Sequence, residues 1–320
     1  MRNTLIGKQP ARPVGHGSAF RNSPMIAAIA AFLIGACGRD ARAQEILRWK
    51  LKAGDVLKYT TEQKVVMSVK LMGRERKQTR AQTIHCTWTV KDVSNDGLAD
   101  IMQRIDRLSM RVEAPPYMPF KFDSNTPDAE VPEPFEAEAR QLKATIGAEF
   151  LFKMRPSGEI ADIKISEATL KKLRDALPLE EGGQKAFSEQ VLKDMLMQSS
   201  PPPFPQVPLE SGKSWSSQPA KLTVPQGRLV MEKAFTFQGP DPKDPKLMLI
   251  GMESRVTLEP GENVTAKIRA QEGKGSLTFD AEAGRIVNSR GTQRTEMVMS
   301  SMGQEIDQTT EMTSTMTLVP

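Results

Sequence analysis

The chain has 320 residues, with 44 Lys+Arg against 39 Asp+Glu and a formal charge of +5. Six of those basic residues and one acid fall in residues 1–43, so 44–320 holds 38 of each sign and no net charge. Nucleic-acid binding by field alone is excluded for the body of the chain. His85 and Cys86 are the only residues of their types beyond the leader, which excludes a multi-ligand zinc site and an internal disulfide.

The leader reads as an export signal. Arg21 precedes an apolar run, Met25 to Ala36, too short to span a bilayer core but suited to the apolar region of a signal peptide. Two endings compete. Ala41-Arg42-Ala43 before Gln44 is a small-residue cleavage site, whereas Ile34-Gly35-Ala36-Cys37 resembles a lipobox whose Cys37 would be acylated. The first gives a leader of 1–43, the second one of 1–36. Either places the product outside the cytoplasm, periplasmic or extracellular, or anchored to a membrane surface through Cys37.

The mature chain opens with strands. Leu57, Tyr59, Val65, Met67, Val69 and Leu71 alternate with polar residues, the period of a half-buried strand. A polar turn over Gly73–Arg80 leads to a second strand, Thr83–Val93, with Ile84, Cys86, Trp88 and Val90 facing in and His85 facing out. Asn95-Asp96-Gly97 is a hairpin turn. In Leu98–Glu113, Ile101 and Ile105 lie on one face and Leu108, Met110 and Val112 on the other. A bulge near Asp106 accounts for the switch. Residues 114–134 read as an exposed connection with a short strand at Phe120–Phe122.

Helices follow. Phe135, Ala139, Leu142 and Ile146 fall at helical spacing. Strands at Glu149–Met154 and Ile160–Ile165 flank the turn Pro156-Ser157-Gly158, and Ser166 is an N-cap for Glu167–Leu177. A third helix runs from about Lys185 to Met197 with a stripe of Phe187, Val191 and Met195. Five prolines between Pro201 and Pro208 end it.

Strands then resume. Leu229, Met231, Phe235 and Phe237 share a face, as do Met248, Ile250, Met252, Val256 and Leu258. Val264, Ala266 and Ile268 come next, then Leu277 and Phe279, then Ile286. Thr295–Met302 and Ile306–Val319 form a hairpin about Gly303-Gln304, with Ile306, Met312, Met316 and Leu318 on one face. Leu51-Lys-Ala-Gly54 and Leu209-Glu-Ser-Gly212 each introduce strands. One reading is therefore two related halves, about 46–165 and 209–320, joined by 166–208; the other is one long antiparallel protein.

Chemistry is sparse. Cys86 and His85 are adjacent on a strand and point oppositely, so they cannot share a proton. The acids of Asp128–Glu138 and Glu180-Glu181 read as solvated surface, and Gly273-Lys274-Gly275 opens no helix. Sixteen methionines remain after Met1 and Met25 are set aside from 18. Met297, Met299 and Met302 resemble a thioether cluster for Cu(I), but on a strand they serve equally as packing or as a pliable apolar lining.

The segments Leu51-Lys-Ala-Gly-Asp55 with Tyr59, Val207-Pro-Leu-Glu-Ser-Gly-Lys-Ser-Trp215, and Leu277-Thr-Phe-Asp280 with Gly284-Arg-Ile286 resemble a family of exported bacterial proteins known only as a domain of unknown function. That resemblance implies no activity and no catalytic residues. The arrangement of elements is also similar to the periplasmic lipoprotein-carrier fold, which implies acyl-chain binding.

The expected fold is α+β and mainly antiparallel β: long-stranded curved sheet with about three amphipathic helices between two strand blocks, over 44–320. The expected function is a non-catalytic cell-envelope module, without cofactor, for an apolar ligand or a lipid or lipoprotein partner. Phe187, Val191, Met195, Met248, Met252, Met312 and Met316 would line its groove. The alternatives are an interaction protein of the envelope with no groove, and a Cu(I)-binding protein.

Overall fold

The computed structural model describes residues 46–116, 118–126, 131–176, 189–200, 202–224, 227–261, 265–301 and 304–320. The leader with Cys37, and Phe187 and Met302, lie outside the described residues, as does the side chain of Met195. Thirteen strands form one antiparallel sheet. The first block is β1 (Val56–Leu71), β2 (Arg74–Val93), β3 (Ala99–Glu113), β4 (Phe120–Asp123), β5 (Glu149–Met154) and β6 (Ile160–Ile165). The second is β7 (Ser214–Ser216), β8 (Ala220–Val224), β9 (Gly227–Pro240), β10 (Leu247–Pro260), β11 (Thr265–Asp280), β12 (Arg285–Ser301) and β13 (Gln304–Val319). Between the blocks, and after β4, lie helices α1 (Glu136–Thr145), α2 (Glu167–Asp175) and α3 (Glu189–Ser199).

The strand order is β6-β5-β3-β2-β1-β13-β12-β11-β10-β9-β7, with β4 added to β3 and β8 to β9. Each block is a meander, and they meet where β1 pairs with β13, from Lys58↔Val319 to Leu71↔Ile306. Sequence neighbours thus pair almost everywhere, and the one long-range ladder joins the two ends of the described chain.

Four stretches differ from the pattern read in the sequence. Gly73–Arg80 is not a turn: β2 begins at Arg74 and pairs with β1 from Leu71↔Arg74 onward. The reversal needs only Met72 (φ 49°) and Gly73 (φ 76°). Backbone ladder bonds hold this segment, so side-chain alternation does not announce it. Phe120 and Phe122 are buried rather than exposed. The apolar positions from Ala266 to Phe279 belong to one strand, β11, whose register shifts at Arg269. In β3 the ladder skips Asp106, the position of the expected bulge. That extra residue brings Leu108, Met110 and Val112 onto the face of Ile101 and Ile105, not the opposite one.

One face of the sheet is strongly concave. The backbone N–H of Trp49 donates to Pro156 O (2.8 Å) in the β5–β6 turn, and that of Lys50 donates to Gly284 O (3.0 Å) in the β11–β12 turn. Five strand spacings separate β5 from β12, about 24 Å if the sheet were flat. Two adjacent amides reach both turns only because the sheet curls. The Trp49 ring lies in the trough, 6.0 Å from Trp88 and 6.0 Å from Phe279 between ring centroids. Gly284 has φ 63°, and a Cβ there would meet Lys50 N at 2.4 Å, so the strap needs glycine at that crossing.

The core fills one end of the trough. Leu57, Tyr59, Trp88, Ile101, Phe152, Phe235, Ile250, Phe279 and Ile286 belong to a single buried cluster with Leu170 and Leu173 of α2 and Leu192 of α3. Ser166 caps α2, its Oγ accepting from Thr169 N at 3.1 Å. Helix α3 touches β6 near one border of the sheet and β8 near the other, closing this end. A second cluster packs α1 on β3 and β4, with Phe120 and Phe135 stacked at 5.0 Å.

Trp49→Ala should cost about 3–5 kcal/mol by denaturant unfolding, as removal of a large core aromatic does. Trp49→Phe should cost far less, because the buried Trp49 Nε1 has no hydrogen-bond partner among the described residues. Equal losses would show that the indole nitrogen, not the ring volume, matters.

Candidate functional site

The paired registers sort every strand residue onto one of two faces, and their chemistries differ. The outer face carries Lys58, Glu62, Lys64 and Lys70 of β1, Thr309, Glu311, Thr313 and Thr315 of β13, and Arg290, Arg294 and Glu296 of β12. There Arg294 binds Glu296 (2.8 Å) and Glu311 (2.6 Å), and Arg269 binds Glu305 (2.9 Å) and Asp307 (2.8 Å). These are solvent-exposed pairs of small individual value.

On the concave face, a belt of amides crosses the sheet beyond the aromatic core. Gln82 Nε2 donates to Gln63 Oε1 (2.7 Å) and Gln63 Nε2 to Met312 Sδ (3.0 Å). On the next strands Ser254 Oγ donates to Gln293 Oε1 (2.6 Å) and Val256 N to Gln271 Oε1 (3.0 Å). Past this belt, Val65, Met67 and Val69 of β1, Ile306 of β13, Met297 and Met299 of β12 and Ile268 of β11 continue the same face. All are half-buried, and none joins either core cluster. The distal half of the trough is therefore mainly apolar, with Gln308 and Thr310 of β13, Thr295 of β12 and Gln78 of β2 set among these residues, and incompletely covered; it is the candidate site.

Its charges have one sign. Among the described residues, the charged side chains on the concave face of β1, β2 and β9–β13 are Arg74, Arg76 and Arg80 at one border and Lys233 at the other. Arg80 pairs with Glu138 of α1. Lys233 stands where the sheet forks. The β10–β11 ladder ends at Glu253↔Lys274, although both strands run on, and Gln271 takes over the amide of Val256. A cavity of about 850 Å³ lies at the fork, lined by Lys233, Ser254, Gln271, Gly273 and Pro219 among others. Burial holds the Lys233 ammonium below the usual lysine range.

The residues singled out in the sequence fall in several places. Met248, Met252 and Met316 are half-buried and pack against the main core, whereas Met312 sits in the amide belt. Met252 extends across β11 and β12 where Gly275 and Gly291 leave room, its Cε 3.5 Å from where a Gly291 Cβ would stand. In α3 Val191 is half-buried, and the residue turned into the core is Leu192. Met297 and Met299 face the open apolar surface. Lys233 and the Arg74–Arg76 border were not singled out, since a lone cation in an alternating strand carries no local signal of where the sheet forks.

His85 and Cys86 lie on opposite faces. His85 Nδ1 is 2.9 Å from Thr60 Oγ1 on the outer face. Cys86 pairs with Tyr59 beside the core, and burial, reinforced by the charge of Asp106, pushes its thiol up to about 11. Burial also raises the Tyr59 phenol, whose hydroxyl donates to Ile286 O at 3.2 Å. Among the described residues, no three His, Cys, Asp or Glu side chains are grouped to hold a metal ion.

Fold and site together describe a mainly antiparallel β protein, one curled sheet carrying short helices, with an aromatic core at one end and an open apolar face at the other. Residues 96–284 match DUF6263, a family of unknown function, and the chain belongs to that family. No curated protein matches it. Solved structures that match in part include lipovitellin, in a study of lipid–protein interactions, at 9% identity and TM-score 0.46, covering 85% of this chain and 26% of that one. This chain thus spans about a quarter of lipovitellin's length. Another is Pseudomonas aeruginosa OccK5 (6%, TM-score 0.23, 84% of this chain and 100% of that one). A third is an outer-membrane lipoprotein-sorting protein domain from Vibrio parahaemolyticus (9%, TM-score 0.13, 79% and 83%). At these scores the likeness is one of extended antiparallel sheet and nothing finer.

Lys233→Met should stabilise the protein at pH 7. Because the folded-state pKa of Lys233 lies below its ordinary 10.5, unfolding takes up a proton between the two values. Wild-type stability therefore rises with pH across that window, and the advantage of the Met variant fades as pH passes 10.5. Melting curves for both proteins from pH 7 to 11 check this, and identical curves at pH 7 would contradict it. Cys86 should resist alkylation at pH 8 in the folded protein and react once unfolded, as peptide mapping of the labelled chain would show.

Proposed function

We propose that this chain is an exported, non-catalytic module of the cell envelope that holds an anionic amphiphile, its acyl chain lying on the distal half of the concave face. One observation carries the reading: Val65, Met67, Val69, Ile268, Met297, Met299 and Ile306 lie half-buried on one face of four adjoining strands, with only the neutral polar side chains of Gln308, Thr310 and Thr295 set among them and no charge. Clustered, incompletely covered apolar side chains of this kind are a feature of binding sites. The cationic borders at Arg74, Arg76 and Lys233 select the sign of the head group, since an apolar site takes its orientation from the few charges placed around it. The apolar leader run, Met25 to Ala36, supports export and hence an envelope lipid as the source. No catalytic role is assigned to any residue.

The test uses a fluorescent polyene fatty acid and its methyl ester. Both should bind, the acid more tightly. Val69→Asp with Met299→Asp should weaken both by more than about tenfold, because an acyl chain would then lie against desolvated carboxylates. Arg74→Gln with Arg76→Gln should weaken the acid and spare the ester. If neither probe binds the wild-type protein, the reading fails in favour of an interaction protein of the envelope.

A further inference from the structure

The β1–β2 hairpin ends in a tip that combines three features. Leu71 and Met72 are 37% and 74% exposed, large apolar side chains at the end of the molecule farthest from the core. Around them stand Lys70, Arg74, Arg76 and Lys77, all exposed, and the two acids flanking Lys70 are both engaged, Glu75 by Ser68 Oγ and Asp307 by Arg269. Met72 also has φ 49°, the left-handed conformation, followed by Gly73 at φ 76°. A two-residue turn of this kind favours Asn or Asp before Gly, because a short polar side chain tolerates positive φ and bonds locally. Met gives up both advantages and exposes a thioether chain to water as well. Backbone strain and apolar exposure at the same residue point to a role outside folding.

We propose that this tip docks on an anionic lipid bilayer, Leu71 and Met72 entering the interface while Lys70, Arg74, Arg76 and Lys77 engage lipid phosphates. The chemistry fits one partner: an apolar point within a ring of cations matches a surface that is apolar inside and negative outside. A nucleic acid would use the cations and leave Met72 in water. Face and tip are continuous, since Val65, Met67, Val69 and Leu71 follow one another on the concave face up to the turn. Docking there would bring the open apolar surface against the bilayer. The docking itself does not rest on the ligand reading.

The test is flotation of the full chain carrying Cys37→Ser, which cannot be acylated, with vesicles of phosphatidylcholine alone or mixed with phosphatidylglycerol. Binding should need the anionic lipid and weaken with salt. Met72→Asn should lower the partition coefficient about tenfold, the scale of withdrawing one buried apolar side chain. It should leave thermal stability unchanged or raised, because Asn suits the turn. Arg76→Gln with Lys77→Gln should lower partitioning about 25-fold, near fivefold per cation. Absence of binding to anionic vesicles would overturn the proposal, as would a Met72→Asn chain that floats like the parent. A labelled Met72→Cys variant in a Cys37→Ser, Cys86→Ser background supplies the second readout. Its fluorophore should shift to the blue on anionic vesicles, and no shift would also overturn the proposal. Fatty-acid binding by the same Met72→Asn chain separates this outcome from a failure of the ligand site.

Discussion

The strap at Trp49 and Lys50 is the constraint on which the rest of the fold depends. Two neighbouring amides bind turns that belong to strands five positions apart, and the indole between them touches rings from β2 and β11. A sheet of long, twisted strands has no intrinsic reason to stop curling at one radius. Here the radius is set by a tryptophan wedged into the trough, and the aromatic core assembles on both sides of it. Phe204, from the proline-rich segment, packs on Phe279 at 4.8 Å and extends that core toward Trp215 on β7.

Closure at one end leaves the other open. Helices α2 and α3 and the proline-rich segment cover the core end, and α1 packs separately on β3 and β4. Nothing described spans the distal parts of β1, β13, β12 and β11. Those strands therefore have a solvated outer face of threonines and ion pairs and an inner face that is mainly apolar and uncovered by the described residues. Amide side chains mark the border: Gln63, Gln82, Gln271 and Gln293 hydrogen-bond to one another or to their neighbours, which lets the packed core end without leaving polar groups buried and unpaired.

The fork between β10 and β11 follows from the same economy of pairing. Where Gln271 takes the Val256 amide, the regular ladder stops, and the β9–β10 hairpin is free to part from β11. Lys233, paired with Ser254 of β10, then borders the cavity at this fork. Its depressed pKa and the basic tip of the β1–β2 hairpin are consequences of placement, not of composition, since 44–320 is electrically neutral as a whole.

Much of the architecture was legible in the sequence because alternation, turn chemistry and capping are local. The period of Leu57–Leu71, the Asp96-Gly97 turn, the break at Asp106, the Ser166 cap and the strands at Glu149–Met154 and Ile160–Ile165 all stand where short-range physics puts them. Local pattern failed where ladder bonds alone hold a strand, at Arg74–Arg80, and where strands are short, at β7 and β8. It could show that Met297, Met299, Ile306 and Met312 share a face with Val65 and Met67 only once β1 and β13 were paired, a contact between opposite ends of the chain. Which apolar residues fill the core and which remain uncovered is decided by that pairing and by the Trp49 strap. Both are long-range constraints, and a residue's periodicity carries no information about them.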